Sequence, residues 1–233
     1  MGSQLIGKFA KVAAAASATA AGYYAYRVYR NTTAIDTPII ASRSIPDSLR
    51  QSWTVKELIN RNNHPAVMDS QYTELAARFR EVPDTVLLAR FLRGFFGGYV
   101  FGPERVALKA VGIDLVHMSR IQDTAPAIWS TTELSDTALP ALHTKLFGAF
   151  QVVEITLGES ESHVDIVFGS DTSEFGGVHR FAIQRTESSV QVHLQHLVCN
   201  PTKPKKLSPE ILLDFHLVYA NMLFRESIKA ITR

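Results

Sequence analysis

Four β-rich runs followed by one long amphipathic helix constrain this chain more than any other feature of its sequence. The runs are separated only by short polar turns, which predicts consecutive antiparallel strands. A loop with Lys and Pro then leads into a helical run from Pro209 to about Ile231. This order predicts an α+β fold in which a curved antiparallel sheet wraps over a long C-terminal helix. The four runs are Phe150–Leu157, His163–Gly169, Val178–Thr186 and Val190–Cys199.

The start of the closing helix is the most clearly specified boundary in the sequence. Ser208 is a favourable N-cap, Pro209 fits the first helical position, and Glu210 suits the positive end of the helix dipole. Apolar side chains then recur at helical spacing and give a wide stripe that could dock on a sheet. The stripe comprises Ile211, Leu212, Phe215, Val218, Tyr219, Met222 and Leu223.

Strand alternation predicts which side chains face this helix. In the last two runs His179 and His196 fall on the apolar side, so they are the polar groups expected in an otherwise apolar cavity. An imidazole there could donate a hydrogen bond to a bound carbonyl, or act as an acid or base near neutral pH. A hydrogen-bonded core histidine is the structural alternative for both, and for His216 on the helix. We predict His196 and His179 as catalytic residues and, as ligand-binding residues, Phe181, Ile183, Val192, Leu194, Phe215, Tyr219 and Met222.

The same alternation assigns faces in the two earlier runs. His163 and Asp165 are expected on the outside of the sheet or at its edge, because the apolar residues of their run occupy the other side. Glu154 is likewise opposite to its apolar neighbours. The residues predicted to face inward are Val164, Ile166 and Phe168 in the second run, and Val153, Ile155 and Leu157 share a face in the first.

Neither a metal site nor a cofactor is predicted. His193 and His196 are three residues apart, which in a strand directs them to opposite faces. His163 and Asp165 share a face, but two ligands make only a weak site. The single cysteine, Cys199, excludes a cysteine-based zinc cluster and an internal disulfide. The sequence also lacks a G-x-S-x-G nucleophile elbow and a phosphate-binding loop.

The middle of the chain is predicted to be mainly helical before the strands begin. Asp84 is a plausible N-cap for an apolar helix, and Gly112 is suited to end a later one. Helices are expected at Val55–Asn60, Ser70–Arg80, from Asp84 and at Glu104–Val111, and strands at Val116–Ile121 and Ile128–Leu134.

The first thirty residues differ in composition from the rest. Val12–Tyr26 carries no charge and is flanked by basic residues. Residues 5–29 would reach the roughly 20 residues that a membrane span needs, and the tyrosines at one end are typical of a membrane interface. Three hypotheses remain: a membrane anchor, a mitochondrial presequence, because no acidic residue precedes Asp36, and a soluble packing helix.

These features divide the chain into three predicted parts. Residues 1–30 form an N-terminal hydrophobic segment, 31–83 a linker with short helices, and 84–233 the ligand-binding domain. A membrane-associated intracellular location is expected, with a mitochondrial or cytoplasmic one as the alternative. The net charge of +2 and the scattered arginines argue against a nucleic-acid partner.

Short motifs in the second half of the chain resemble START/SRPBCC-like domains with a helix-grip fold. They are Leu157-Gly158, Ser162-His163-Val164-Asp165 and, in the helix, Phe215-His216-Leu217-Val218. The resemblance covers roughly residues 84–231. It implies a hydrophobic cavity under a seven-stranded sheet; members bind lipids, sterols or quinones, and some cyclise polyketides. The chain is also similar to small fungal secondary-metabolism proteins, some of which steer cofactor-free cyclisations.

Three functions are compatible with these expectations. The first is a cofactor-free cyclase or isomerase, such as a pericyclase, acting on a polyketide- or terpenoid-like molecule. The second is a non-catalytic module that binds or transfers a lipid, quinone or sterol at a membrane. The third is an interaction protein whose pocket is filled by its own side chains. The volume and lining of the cavity distinguish them.

Overall fold

A computed structural model describes residues 2–33, 37–121, 126–207 and 210–233. Ser208 and Pro209, the predicted start of the last helix, lie outside these residues. The helices and strands are α1 (Gly2–Thr33), β1 (Ile40–Ser42), α2 (Asp47–Arg50), β2 (Ala66–Leu75), α3 (Asp84–Gly97), α4 (Gly102–Val111), β3 (Ala127–Ile128), β4 (Lys145–Leu146), β5 (Phe150–Thr156), β6 (Glu161–Gly169), β7 (Gly176–Arg185), β8 (Val190–Cys199) and α5 (Glu210–Ile231).

The described strands form one eight-stranded sheet in the order β1-β2-β8-β7-β6-β5-β4-β3. All neighbours are antiparallel except β3 and β4, which are parallel. The four predicted strands are confirmed as β5 to β8, and they pair in sequence order because short turns favour antiparallel neighbours. The predicted α+β class, with a mostly antiparallel sheet and a C-terminal helix, is confirmed.

The predicted helix at Ser70–Arg80 is wrong. Residues 66–75 form β2, which pairs with β8 along ten positions from Ala66↔Cys199 to Leu75↔Val190. A short 3-10 turn at Ala77–Phe79 follows. Apolar residues at a helical spacing also suit a strand that ends in a turn, and the long ladder with β8 decides between the two.

Other local predictions have mixed outcomes. α3 begins at Asp84, but its N-cap is Pro83, so the predicted N-cap role of Asp84 is wrong. α4 ends with Gly112 in the left-handed region at φ +64°, as expected for a C-cap glycine. The helix predicted at Val55–Asn60 is a π-helical turn at Thr54–Ile59. The two strands predicted after α4 are wrong. Val116–Ile121 forms only an isolated β-bridge, His117↔Ser170. Ile128–Leu134 contains the end of the two-residue strand β3 and a 3-10 turn at Thr131–Glu133.

One face of the sheet, here the inner face, packs against α3 and α5. Phe91 and Phe95 of α3 each lie 5.0 Å, centroid to centroid, from the ring of Phe181 on β7. Burial of side chains of this size stabilises a fold by about 1.5–3 kcal/mol each. Val164 and Ile166 face inward as predicted, and α5 contributes Leu223, Phe224, Ile228 and Ile231 to the same core.

The opposite, outer face is covered by residues 45–59. Leu49, Leu58 and Ile59 pack there against Val167 and Val178 of the sheet. The sheet is therefore buried on both sides, so Asp165, although it faces outward as predicted, is fully buried.

The predicted inward face of the first run is wrong at Val153. A register irregularity between Val152 and Glu154 on β5 shifts the alternation by one residue. Val152 therefore joins the inner core, and Val153 joins the outer cluster. Ile155 still packs against the inner core, whereas Leu157 is exposed.

α1 packs along α5 near the C-terminal end of the chain. The carboxylate of Glu226 accepts hydrogen bonds from the side chain of Asn31, at 2.7 Å, and from the backbone N–H groups of Tyr99 and Val100, at 2.9 and 2.7 Å. Asn31–Thr33, predicted as linker, belong to this helix, and Ile40–Ser42 form an edge strand. Within the described ranges, no helix is both long and apolar enough to cross a bilayer.

Candidate functional site

A cavity of about 620 Å³ lies between the inner face, α4 and α5. It occupies the part of the inner face that the phenylalanines of α3 leave uncovered. Its walls are mainly apolar, with polar side chains grouped at two places. The apolar lining is Phe95, Phe101, Leu108, Leu115, Ala149, Phe150, Phe168, Phe175, Val198, Leu207, Ala220 and Leu223, and the polar lining is Glu104, His179, His196, His216 and Tyr219.

Three of the nine residues predicted for the site line this cavity: His179, His196 and Tyr219. The others lie elsewhere in the structure. Four of them face inward but are buried in the packed core, Phe215 is 66% exposed and stacks on Tyr219, and Met222 packs against the core. The four buried residues are Phe181, Ile183, Val192 and Leu194.

A row of polar side chains crosses three neighbouring strands on the inner face, and its two histidines line the cavity. Asp69 on β2 is the register partner of His196 on β8, which is the partner of His179 on β7. Side chains directly opposite on one face lie close together. Accordingly, His196 Nδ1 is 3.0 Å from Asp69 Oδ1, and the rings of His179 and His196 stack at a centroid distance of 4.8 Å.

His216 of α5 completes this group, which we call the histidine cluster (Asp69, His179, His196 and His216). Its ring lies 4.2 Å from that of His196, and its Nε2 is 3.7 Å from Asp69 Oδ1. That distance is too long for a hydrogen bond. Two buried ring nitrogens, His216 Nε2 and His179 Nδ1, have no hydrogen-bond partner among the described residues.

Phe168 covers the cluster because its neighbour on β7 has no side chain. Phe168 pairs with Gly177, and a Cβ atom at Gly177 would collide with the Phe168 ring. The ring therefore lies over β7 and reaches both histidines, at centroid distances of 4.9 Å from His179 and 5.8 Å from His196. The apolar wall thus shields the imidazoles from water.

The surroundings hold the imidazoles of β7 and β8 in the neutral form. Burial lowers the pKa of His179 well below its usual value, and the neighbouring histidines lower it further. Burial also lowers the pKa of His196, although Asp69 opposes this. Burial alone would raise the pKa of Asp69, but the hydrogen bond with His196 and the proximity of His196 and His216 outweigh it and keep that pKa well below its usual range. A neutral imidazole beside a carboxylate is the result.

A second polar group lies on the α4 side of the cavity. The hydroxyl of Tyr219 donates a hydrogen bond to Glu104 Oε2 at 2.9 Å. Partial burial raises the pKa of Glu104, and the hydrogen bond from Tyr219 opposes the shift. The cavity therefore presents a carboxyl group from α4 as well as the imidazoles from the sheet and α5.

The sequence did not single out Asp69 or Glu104. Asp69 stands in a strand next to a stretch read as a helix, and its partner His196 is 127 residues away. For Glu104 the sequence predicts only that a helix begins there. The one available signal is strand alternation. Together with a pairing of residues 66–75 with β8, it places Asp69 beside His196 on the inner face.

Two groups of side chains in the described part of the chain have a geometry that could hold a metal ion. They are Asp69, His196 and His216 on the inner face, and Glu154, His163 and Asp165 on the outer face; within each group the ligand atoms lie within 4.8 Å of one another. In the outer group both oxygens of Asp165 accept hydrogen bonds from Arg180, at 2.6 and 2.8 Å.

Comparison with known proteins assigns no family. No family model and no curated protein sequence matches the chain. A hypothetical protein of Helicobacter pylori of known crystal structure is similar over 39% of this chain, at 14% sequence identity and a TM-score of 0.26. The chain spans 61% of the length of that protein.

Proposed function

We propose that this protein binds a hydrophobic small molecule in the cavity and guides its cyclisation or isomerisation without a cofactor. The guest class is a polyketide- or terpenoid-like molecule of secondary metabolism. The observation that carries the proposal is the convergence of three imidazoles on an otherwise apolar cavity of about 620 Å³. Small-molecule sites span roughly 300–1,000 Å³ and combine apolar walls with a few placed polar groups.

The proposal includes a helix-grip architecture of the START/SRPBCC type. A long C-terminal helix over a mostly antiparallel sheet, with a cavity between them, supports it. Eight strands in place of seven, and an outer face covered by residues 45–59, would be additions of this chain to that plan.

Confinement would supply most of the rate enhancement. An apolar cavity that holds a flexible chain in a folded conformation lowers the entropic part of the barrier, by up to about 7–11 kcal/mol in the best intramolecular cases. A cyclisation in which the substrate contains all the reacting atoms needs no further reactant. The aromatic walls, including Phe150 and Phe168, would define the shape into which the guest folds.

The histidine cluster would position and polarise the guest. Because Asp69 accepts a hydrogen bond from His196 Nδ1, the neutral ring presents the lone pair of Nε2. Nε2 can then accept a hydrogen bond or a proton from an enol or from a carbon next to a carbonyl. A neutral His179 retains one N–H that can donate to a carbonyl oxygen, a contact worth about 2–4 kcal/mol when it is preorganised.

A non-catalytic carrier is the second candidate, and one observation favours it. Leu115 and Phe175 line the cavity while remaining 47% and 51% exposed, which gives the cavity an apolar mouth. A mouth of this kind suits the transfer of a lipid, quinone or sterol from a membrane. Residues 5–29 and the basic loop with Lys203, Lys205 and Lys206 would hold the protein at an intracellular membrane.

Incubation of the purified full chain with a lipophilic metabolite extract tests both candidates. Native mass spectrometry would identify the captured molecule, and chromatography would reveal a product of equal mass. For the enzyme, His196→Ala and His179→Ala should each slow conversion by at least about 100-fold, and the exposed His117→Ala should not. Capture without conversion supports the carrier. Failure to capture any lipophilic molecule contradicts the proposal.

A further inference from the structure

We infer that Asp69, His196 and His216 form a binding site for one divalent transition-metal ion in the wall of the cavity. The three ligands come from β2, β8 and α5, so the fold, and no local motif, creates the site. This inference goes beyond the proposed function, which requires no metal.

The distances between the ligand atoms suit such an ion. In a tetrahedral site with bonds of about 2.0–2.2 Å, ligand atoms lie about 3.4 Å from each other. The distance from Asp69 Oδ1 is 3.0 Å to His196 Nδ1 and 3.7 Å to His216 Nε2. Both distances lie within a few tenths of an ångström of that value, and all three ligand atoms lie within 4.8 Å of one another.

Unpartnered nitrogens provide a second, independent observation. A buried polar atom without a hydrogen bond destabilises the folded state. Nε2 of His216 is such an atom, and it points towards Asp69 without reaching it. Nδ1 of His179, in the ring stacked on His196, is another. A cation would give His216 Nε2 the partner that it lacks.

Charge and ligand type agree with a transition metal. Two imidazoles and one carboxylate form the ligand set of catalytic zinc sites and of other first-row divalent ions, whereas Mg²⁺ prefers oxygen ligands. No Lys or Arg side chain forms an ion pair with Asp69 among the described residues.

The outer group shares the unpartnered nitrogens, because neither ring nitrogen of His163 has a hydrogen bond among the described residues, but it differs in charge. The guanidinium of Arg180 engages both oxygens of Asp165 and lies 3.7 Å from Glu161. Its positive charge already neutralises the carboxylate that a metal ion in that group would need as a ligand. His163 therefore provides a matched control, because it is also a buried histidine beside carboxylates.

An ion at this site would alter the polar wall that a guest meets. Coordination at His196 Nδ1 moves the ring proton to Nε2, so Nε2 changes from acceptor to donor without any net loss of a proton. Three protein ligands also leave coordination positions open, and an oxygen atom of a bound guest could fill one of them.

Calorimetric titration of the chelator-treated full chain with Zn²⁺ tests the inference. We expect one Zn²⁺ per chain with a micromolar or lower dissociation constant, and no binding of Mg²⁺. Asp69→Asn, His196→Gln and His216→Gln should each weaken Zn²⁺ binding at least about tenfold, and His163→Gln should leave it unchanged. Co²⁺ in place of Zn²⁺ should give an intense visible absorption band, which the three variants should lose while their circular dichroism is retained.

Three outcomes would overturn the inference: no binding at 1 mM Zn²⁺, full binding by the three variants, or loss of binding in His163→Gln. A separate titration of the same metal-free protein with the neutral dye N-phenyl-1-naphthylamine reports on the cavity. Dye binding without Zn²⁺ binding rejects the metal site and leaves the proposed function standing. Zn²⁺ binding without dye binding supports the metal site and rejects the proposed function.

Discussion

On the outer face of the sheet, Asp165 and Arg180 are almost fully buried and joined by two hydrogen bonds, and His163 lies between Glu154 and Glu161 at 3.5 and 3.3 Å. On the inner face, three histidines surround one carboxylate, and two of their nitrogens lack partners. Atoms without a hydrogen-bond partner occur on both faces, because both ring nitrogens of His163 and the side-chain amide of Gln195 on the outer face also lack one among the described residues. The faces differ in charge: the outer face joins a guanidinium to a carboxylate by two hydrogen bonds, whereas the carboxylate of the inner face meets only imidazoles in the ion pairs that the described residues form. The difference indicates that the outer network stabilises the fold, whereas the inner cluster is available to a ligand.

Removal of the outer ion pair should have the largest effect on stability. Asp165→Ala leaves the guanidinium of Arg180 buried without its main partner, and such losses cost about 3–5 kcal/mol. Urea denaturation would measure the change in the free energy of unfolding. The half-exposed pair Arg120–Glu57 serves as the control, because Arg120→Ala should cost only about 0–1 kcal/mol. Equal losses in the two variants would contradict the structural role of the outer network.

The titration of His163 should make stability depend on pH. Burial alone would lower the pKa of His163, but the carboxylates of Glu154 and Glu161, 3.5 and 3.3 Å from its ring nitrogens, outweigh it and raise the pKa to about 9. A pKa raised from 6.5 stabilises the fold below pH 6.5, and this contribution is lost as the pH rises through 9. Its size is on the order of 2–3 kcal/mol. Thermal unfolding from pH 6 to 10 should show the loss, and His163→Gln should flatten the profile.

An unchanged profile in His163→Gln would show that other groups cause the pH dependence.

Replacement of His179 on the inner face should change the free energy of unfolding only slightly, and should stabilise the fold. His179→Leu removes a buried nitrogen that has no hydrogen bond, so we expect the protein to gain about 1 kcal/mol of stability while conversion of the guest slows. His163→Leu on the outer face is the matched substitution: its ring nitrogens also lack a hydrogen bond, but the change removes a cation from between the carboxylates of Glu154 and Glu161, so it should destabilise. Urea denaturation of both variants tests the comparison directly. Destabilisation of His179→Leu by more than about 2 kcal/mol would indicate a structural role for the inner cluster as well.

The features that could be predicted from the sequence depend on short-range patterns. The strands β5 to β8 follow from apolar alternation and polar turns, and the inward positions of His179 and His196 follow from a period of two. The same rule failed at Val153, because one irregular position on β5 reverses the alternation beyond it. Such an irregularity leaves no signature in the apolar pattern itself.

The features that could not be predicted depend on distant pairings. Asp69 meets His196 only because β2 inserts beside β8, and His216 joins them only when α5 docks on that part of the sheet. The sequence predicts a short helix at Val55–Asn60, but nothing local indicates that residues 45–59 cover the outer face. Four inward residues of β7 and β8 lie in the packed core outside the cavity, and α3 covers one of them, Phe181, with Phe91 and Phe95.

Titration of the full chain with N-phenyl-1-naphthylamine, followed by fluorescence, tests the central claim that the cavity between the inner face and α5 accepts an apolar guest. The account predicts one saturable site with a dissociation constant of about 1–10 µM, equivalent to roughly 7–8 kcal/mol. Ala149→Phe, which fills the cavity, should weaken binding at least tenfold, and Ala141→Phe at an exposed position outside it should not. Absence of saturable binding, or equal affinities for the two variants, would contradict the account.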